Sequence, residues 1–424
     1  MSKLDELIAE LCPNGVEYKS LGEIATIARG GNFQKKDFCD RGVPCIHYGQ
    51  IYTKYGLFTD KTITFITEER AKKQKFAKTN DIIMAVTSEN IEDVCKCLAW
   101  LGNEDVAVSG HSAIISHNQN PKYLVYYFHS QIFFTQKRKL AHGTKVIEVT
   151  PDTLKSIKLP VPPLEVQREI VHILDSFTLL TAELTAELTA RKKQYEFYRD
   201  NLIKKEQHIS EVKKLADVAN IYDSLHQTPS YSNSGYSMVR VQDIKGGYLD
   251  EDKTLKVDES VWNLFTQKYT PRLNDIVVSR VGSYGNFALI PNDKCCLGQN
   301  VALIHPNINP KYLYHVLMST MTKQWINNNV KGASQKSFSL ADIKRVPVPV
   351  PKENIQQRIA EVLDNFEAIC TDLNIGLPAE IEARQKQYEY YRDLLLTFAE
   401  TGSTLMTDRQ TDRQTDRQTD RQTD

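Results

Sequence analysis

The sequence predicts a mixed α/β fold, with two pseudo-repeated α/β domains separated by two long antiparallel helices. Three observations predict it. One ordered set of segments occurs twice, and β-rich runs alternate with Gly- and Asn-bearing loops inside each copy. A proline cluster in each copy also precedes a long run of helical periodicity. The repeated unit is therefore a globule followed by a helix.

The internal repeat consists of segments that recur in the same order, at offsets of 189 to 194 residues. The clearest pairs are NPKYL at 120–124 and 309–313, QREIVHILDSF at 167–177 with QQRIAEVLDNF at 356–366, and KQYEFYRD at 193–200 with KQYEYYRD at 386–393. A two-fold repeat implies a pseudo-symmetric molecule. Such a molecule suits a pseudo-symmetric ligand, of which duplex DNA is the commonest.

The first copy opens with a short amphipathic helix within residues 1–15 and continues as a mixed globule to about residue 153. Short β-rich runs at 81–86 and 112–115 predict strands. The run 123–128, which follows a proline, predicts a helix. The second globule repeats this plan.

The proline clusters mark where each globule ends and a long helix begins. The prolines at 160–163 and 346–351 cannot lie inside a helix and force an extended approach. From Leu164 to Lys205 no Gly or Pro occurs, which predicts a helix about 60 Å long. The second helix begins near Ile355 and is interrupted or kinked by the GLP at 376–378.

The apolar stripe of each long helix must be buried against a partner. We favour antiparallel packing of one helix on the other, and the alternative is that each helix folds back on its own globule. The predicted division of the chain is 1–155 for the first domain, 156–209 for the first proline cluster and helix, 210–342 for the second domain, 343–400 for the second proline cluster and helix, and 401–424 for a disordered tail.

Two small tandem repeats stand out. TAEL occurs twice in succession at 181–188, within the first predicted helix, and has no counterpart in the second. The tail at 407–424 is TDRQ four times followed by TD, has no apolar residue, and is predicted to be disordered. Repeated ACAG read in triplets encodes Thr-Asp-Arg-Gln, so we favour a slippage-prone tetranucleotide tract over a duplicated linker or a cloning artefact.

Composition and missing motifs narrow the function. Lys and Arg total 53, as do Asp and Glu, so the net charge of +0 disfavours non-specific coating of DNA. The eight cysteines show no C-x₂-C zinc spacing, and no apolar run is long enough for a membrane span, so a cytoplasmic protein is expected. Glycine-rich nucleotide loops, HExxH and NPP[YF] are absent from the sequence, which predicts a non-catalytic chain without its own metal or cofactor.

Polar, Gly-bearing loops stand at matching places in the two globules, although their sequences differ strongly. Arg, Lys, Gln and Asn are the side chains that contact base edges and phosphates, and Gly permits close backbone approach. For any single residue a solvated loop is the alternative. The candidate DNA-binding residues are Arg29, Asn32, Gln34, Lys35, Lys36, His47, Tyr48, Gln50, His111, Thr144 and Lys145 in the first copy, and Tyr231, Arg240, Gln242, Arg280, Ser283, Tyr284, Gln299, Asn300, Lys331, Ser334, Gln335 and Lys336 in the second.

The chain resembles the DNA-specificity subunit of type I restriction–modification systems, and within that family the TAEL-bearing subfamily. The resemblance rests on the duplicated plan, the proline clusters, the doubled K-Q-Y-x-[FY]-Y-R-D and the tandem TAEL. The resemblance spans about residues 4–397. It implies two target recognition domains, each of which binds one half of a bipartite site, and two helices that act as a ruler between them.

The resemblance also implies partners: double-stranded DNA, two methylation subunits and restriction subunits. S-adenosylmethionine, ATP and Mg would belong to those partners, so the assembled complex, and not this chain, would be the adenine methyltransferase and endonuclease. The alternative function is a coiled-coil assembly scaffold that carries paired modules without DNA-binding activity. A fused methyltransferase or nuclease is disfavoured by the missing catalytic motifs.

Overall fold

The computed structural model describes residues 2–244, 247, 249, 251–330, 337–372 and 376–401. The chain forms two compact units, one of Met1–Glu183 with Glu382–Asp424 and one of Leu184–Ile381. The predicted domain limits and the disordered tail stay predictions, and the tail lies outside the described residues. Among the described residues, no helix has the length and apolar character that crossing a membrane requires.

Among its described residues, the first unit contains 14 short strands and a set of helices. The strands are β1 (Tyr18–Ser20), β2 (Ala25–Arg29), β3 (Phe38–Cys39), β4 (Val43–Ile46), β5 (Phe58–Thr59), β6 (Thr64–Ile66), β7 (Lys75–Ala77), β8 (Ile82–Ala85), β9 (Thr87–Ser88), β10 (Cys97–Trp100), β11 (Val106–Val108), β12 (Ser112–His117), β13 (Ile147–Glu148) and β14 (Lys158–Pro160). The helices are α1 (Lys3–Leu11), α2 (Leu21–Ile24), α3 (Tyr48–Thr53), α4 (Glu68–Ala71), α5 (Pro121–Phe128), α6 (Gln131–Leu140) and α7 (Pro151–Leu154), followed by α8 (Leu164–Ile209), which continues into the second unit.

The first globule is built on two five-stranded sheets, ordered β2-β12-β8-β10-β5 and β3-β6-β4-β11-β7. Most neighbours are antiparallel, but β4 and β11 are parallel, as are β5 and β10. Helix α5 buries Tyr123, Tyr126 and Tyr127 in the main core, where Val166, Ile170 and Leu174 of α8 join it. The predicted helix at 123–128 and the predicted strands at 81–86 and 112–115 are therefore confirmed in position.

The described residues of the second unit repeat the plan with fewer strands. The strands are β15 (Glu211–Lys214), β16 (Ala219–Asp223), β17 (Tyr236–Val239), β18 (Leu255–Val257), β19 (Ile276–Ser279), β20 (Phe287–Leu289), β21 (Cys295–Leu297), β22 (Val301–Pro306) and β23 (Pro347–Val350). The helices that come after α8 are α9 (Leu215–Val218), α10 (Glu259–Phe265), α11 (Pro310–Met318), α12 (Thr320–Asn329), α13 (Leu340–Arg345), α14 (Glu353–Thr371) and α15 (Leu377–Thr401). Helix α15 runs back into the first unit. The sheets are ordered β16-β22-β19-β20 and β18-β17-β21, and β17 and β21 are parallel.

Each proline cluster is an extended strand, paired with the strand that opens its own globule. In the first copy Tyr18 lies opposite Pro160, and in the second Val212 lies opposite Pro349. Both ladders are two-stranded, which leaves an open edge where a proline that lacks an N–H does no harm. The predicted extended conformation is confirmed.

The NPKYL segments and the helix starts are repeated because they make the same contacts twice. The backbone N–H of Asn120 donates to Gln167 at 2.9 Å, and that of Asn309 donates to Gln356 at 3.1 Å. The hydroxyl groups of the two matching tyrosines donate to the carbonyls of Pro160 and Pro349, at 3.0 and 2.9 Å. These hydrogen bonds hold each proline strand and each long helix against the globule that precedes it.

The long helices pack antiparallel, as predicted. Within the second unit, Tyr195 of α8 contacts Glu367 of α14, and Tyr198, one turn further along α8, packs on Phe366, one residue back along α14. Within the first unit, Phe177 of α8 stacks on Tyr391 of α15 at 5.2 Å. Helix α8 has 46 residues and includes both TAEL units, and the second helix is divided, with α14 ending at Thr371 and α15 beginning at Leu377.

The repeated KQYExYRD segment docks each helix on a globule. Asp200 accepts the backbone N–H of Thr320 at the start of α12, and Asp393 accepts that of Gln131 at the start of α6, both at 3.1 Å. A carboxylate at the start of a helix satisfies an unpaired N–H there. Through this segment α8 docks on the second globule and α15 on the first, so neither contact is the folding back on its own globule that was the alternative.

Candidate DNA interface

In the first globule, the predicted loops converge on one edge because β4 and β11 are parallel. Their carboxyl ends lie side by side, and His47 and Tyr48 come directly after β4 while Ser109 to His111 come directly after β11. The backbone N–H of Tyr48 donates to the Ser109 hydroxyl at 2.8 Å, and the rings of Tyr48 and His111 are 5.0 Å apart between centroids.

Arg29, at the end of β2, joins two further loops to this edge. Its Nε donates to the Gly110 carbonyl at 2.9 Å, and its guanidinium pairs with Glu148 at 2.9 Å. Glu148 closes the turn that carries Thr144 and Lys145, which are both exposed. A Cβ on Gly30 would lie 2.2 Å from the Ser109 carbonyl oxygen, so this close approach requires glycine.

The remaining first-copy candidates divide into exposed and buried residues. Asn32, Gln34, Lys35 and Lys36 are exposed around a 3₁₀ turn, and His111 is exposed with its ring nitrogen 3.2 Å from the Thr87 hydroxyl. His47 and Gln50 are buried instead. Their contact with DNA stays a prediction.

His47 and Gln50 support the edge from beneath. The Nδ1 of His47 accepts the backbone N–H of Gly49 at 3.2 Å, and the Gln50 side-chain oxygen accepts that of His47 at 3.0 Å. Burial, together with the nearby Lys35 and His111, lowers the pKa of His47 to about 4. His47 is therefore neutral at physiological pH and acts as a helix N-cap.

We expect His47 to make the folding of the first globule sensitive to acid. Its pKa is about 4 when folded and near 6.5 when unfolded, so its contribution to stability is present above pH 6.5 and is lost as the pH falls toward 4. The full contribution is roughly 3 kcal/mol. Chemical unfolding of the full chain at pH 7 and pH 4.5 should show this loss. His47→Asn, which keeps a cap acceptor, should show a smaller loss, and an equal loss in both proteins would contradict the assignment.

In the second globule the matching edge forms an open cleft of about 420 Å³ at the carboxyl ends of the parallel strands β17 and β21. Six predicted residues line it: Tyr231, Arg240, Gln242, Ser283, Gln299 and Asn300. Thr228, Pro229, Val241 and Gly298 also line it and were not predicted. Of these four, Thr228 accepts from the Gln299 amide at 3.3 Å, across 71 residues of sequence.

Two second-copy candidates have structural partners. Arg280 pairs with Asp223, and its Nε donates to the Phe338 carbonyl at 3.4 Å, while Tyr284 is half-buried against the core. Lys331, Ser334, Gln335 and Lys336 lie outside the described residues. The structure therefore brings together the cleft residues and places Arg280 in a supporting pair behind them.

Among the described residues, His315, Asp364 and Glu367 offer ligand atoms within 4.8 Å of one another. These atoms already hydrogen-bond: His315 lies 2.9 Å from Asp364 and 3.0 Å from the Tyr195 hydroxyl, and Glu367 accepts from Tyr314 at 2.9 Å. Burial raises the pKa of Glu367. We assign this cluster to the docking of α8 and α14 on the second globule.

Comparison with known proteins places both copies in one family model. The model for the type I restriction modification DNA specificity domain matches residues 13–191 and 209–383. The EcoR124I/EcoR124II specificity subunit of Escherichia coli is 36% identical over 258 residues, which cover 58% of this chain and 63% of that protein. A putative type I restriction enzyme specificity subunit of Haemophilus influenzae is 29% identical over 313 residues, which cover 71% and 77%.

A solved structure shares the fold. A chain from a study of complex assembly and conformational transition in the type I R-M system superposes with a TM-score of 0.56 at 15% identity, over 91% of this chain and 98% of that one. Sequence identity this low supports the architecture alone. The two repeated α/β globules with their long helix therefore form an architecture already seen in that system.

Proposed function

Because this chain belongs to the type I restriction–modification DNA specificity family, we propose that it is the sequence-specific DNA-binding subunit of such a complex. Each globule binds one half of a bipartite site. The long helices set the distance between the halves and dock the methylation subunits, and restriction subunits complete the assembly in the cytoplasm.

The observation that carries the proposal is that one framework presents two different surfaces at the same edge. In both globules a parallel pair of strands ends at this edge. Both globules also contain the same Asn–Gln and Tyr–Pro contacts. At that edge the first copy has His47 and Tyr48, and the second has Arg240 and Val241. Divergent polar loops on a repeated framework are expected if the copies recognise different base sequences.

The outward faces of the helices fit the docking of partner subunits. Phe197 and Tyr390 occupy the same position of the repeated KQYExYRD segment and are 64% and 59% exposed. Large exposed aromatic residues at matching positions are typical of a surface that a partner covers. S-adenosylmethionine, ATP and Mg would bind to those partners, and this chain would take no part in the chemistry.

Co-expression with the cognate methylation subunit in a host that lacks other adenine methylation tests the proposal. Sequencing of modified bases should reveal one bipartite motif with two defined halves and a fixed gap. Hosts that express either subunit alone should show none. A motif that forms without this chain, or methylation without sequence preference, would contradict the proposed role and favour the scaffold alternative.

A further inference from the structure

We propose that Arg240 recognises a guanine in the second half-site and that Asp243 holds its guanidinium in the orientation for doing so. The inference rests on the proposed function. It names one specificity-determining residue and the base that it selects.

Arg240 is held by a two-point contact. It comes directly after β17, and Asp243 lies three residues later in the 3₁₀ turn Val241–Asp243. Nε of Arg240 is 3.0 Å from Oδ2 of Asp243, and Nη2 is 3.0 Å from Oδ1. The same carboxylate accepts the backbone N–H of Arg240 at 2.9 Å. Because two parallel bonds fix a planar group, the guanidinium cannot rotate freely.

The stem of Arg240 is also held in place. A Cβ on Gly298 would lie 3.1 Å from Cγ of Arg240 and 3.0 Å from the Val239 carbonyl oxygen. A side chain at position 298 would therefore crowd the stem of Arg240 and displace it by a few tenths of an ångström. A side chain fixed at both stem and head loses less conformational entropy when it binds a ligand.

The remaining edge of the guanidinium faces a polar acceptor. With its amide oxygen turned toward Arg240, Gln242 accepts from Nη2 at 2.7 Å and from Nη1 at 3.0 Å. Gln242 is exposed and lines the cleft, so it can move away. Two adjacent N–H donors that already bind one acceptor match the O6 and N7 acceptors at the major-groove edge of guanine, where Arg makes the commonest specific contact.

Guanine fits this site better than a backbone phosphate does. The side chain of Asp243 is only 8% exposed and that of Arg240 is 23% exposed, so the pair is largely withdrawn from solvent. The carboxylate cancels most of the charge that would attract a phosphate, but it leaves the directional donors intact. Lysines and exposed arginines are better suited to phosphate.

The positions of Arg240 and Asp243 hold different residues in the first copy. The matching positions of the first copy hold His47 and Gln50, which are both buried and bonded to the turn. Removal of Arg240 should therefore alter one base position in one half-site and leave the other half-site and the gap unchanged.

The test compares the methylated motifs of the parent complex and the Arg240→Ala, Arg240→Lys and Asp243→Asn variants. Arg272→Ala is the matched control, because Arg272 is an exposed arginine of the same globule that precedes β19 and so lies at the opposite end of that strand from the cleft. Arg240→Ala should lower the preference for one guanine by roughly 10-fold or more. Arg240→Lys should lose the same preference, because an ammonium does not offer two parallel donors.

Asp243→Asn should weaken the preference less than Arg240→Ala does. An unchanged guanine preference in both Arg240 variants would overturn the inference. So would a phosphate-like pattern, in which Arg240→Ala weakens binding to all DNA equally and Arg240→Lys restores it. If a variant gives no methylation, DNA binding by the purified complex is measured instead. A loss of affinity confined to the cognate site supports the inference, and an equal loss of affinity for unrelated DNA overturns it. Absence of a bipartite motif in the parent would instead contradict the proposed function.

Discussion

A chain in which residues 18–160 are replaced by its own residues 212–349 is expected to direct methylation to a site with the second half-site sequence at both ends. Each globule carries its own framework and its own loops, so a second copy of the second globule should bind the same bases again. The exchange points are equivalent, because Tyr18 pairs with Pro160 and Val212 pairs with Pro349.

The transplanted globule should find the partners it needs in the first unit. Asn309 can donate to Gln167 as Asn120 does, and Lys311, which pairs with Asp364 at 2.5 Å, can pair with Asp175 as Lys122 does at 2.6 Å. His315 would meet Asp175 and Tyr388 as it now meets Asp364 and Tyr195. The least matched point is Tyr314, because its hydroxyl donates to Glu367 and the matching residue of the first copy is Thr178. We expect this mismatch to lower stability and to leave base recognition unchanged.

Sequencing of modified bases, with the partner subunits present, measures the result. The reciprocal replacement of 212–349 by 18–160 is the control and should give the first half-site sequence at both ends. Persistence of the first half-site in the original exchange would contradict the assignment of one globule to one half-site. A new base sequence at both ends would show that the globules do not act independently.

The framework could be predicted because its segments occur twice in the sequence. The NPKYL segments, the proline clusters and the 46-residue helix were each recognisable by repetition or periodicity. Their partners were not recognisable. The pairing of Tyr18 with Pro160 and the capping of α12 by Asp200 join residues distant in sequence, and neither spacing nor propensity specifies such contacts.

The candidate site could be predicted only in outline. Residue type and glycine content identified the loops, but the parallel pairs that bring their ends together were not visible in any local pattern. Nor could His47 be distinguished from Tyr48, because its burial depends on Phe33 and Phe38, whose rings lie within about 6 Å of it. The pairing of Arg280 with Asp223, 57 residues earlier, was likewise not visible in any local pattern.

The tandem TAEL repeat occupies the junction between the two compact units. The first unit ends at Glu183 and the second begins at Leu184, within the segment 181–188. Thr181, Leu184 and Leu188 are half-buried, and the residues between them are exposed. This stretch therefore makes few of the contacts that hold either unit together, and a change in its length should leave both globules folded.

Insertion of a third Thr-Ala-Glu-Leu after Leu188 is expected to lengthen the non-specific gap of the recognised site by one base pair, with both half-sites unchanged. Four helical residues add about 6 Å to α8 and rotate the part of the helix beyond the insertion by about 40°. One base pair adds about 3.4 Å and turns the duplex by about 35°, so a single added pair compensates the rotation.

The parental site should lose its methylation. Thr185→Ala with Thr189→Ala, which keeps the helix length, should leave the gap as it was. An unchanged gap in the three-unit chain would refute the helix as a ruler, and altered half-sites would show that the helix also shapes the recognition surfaces.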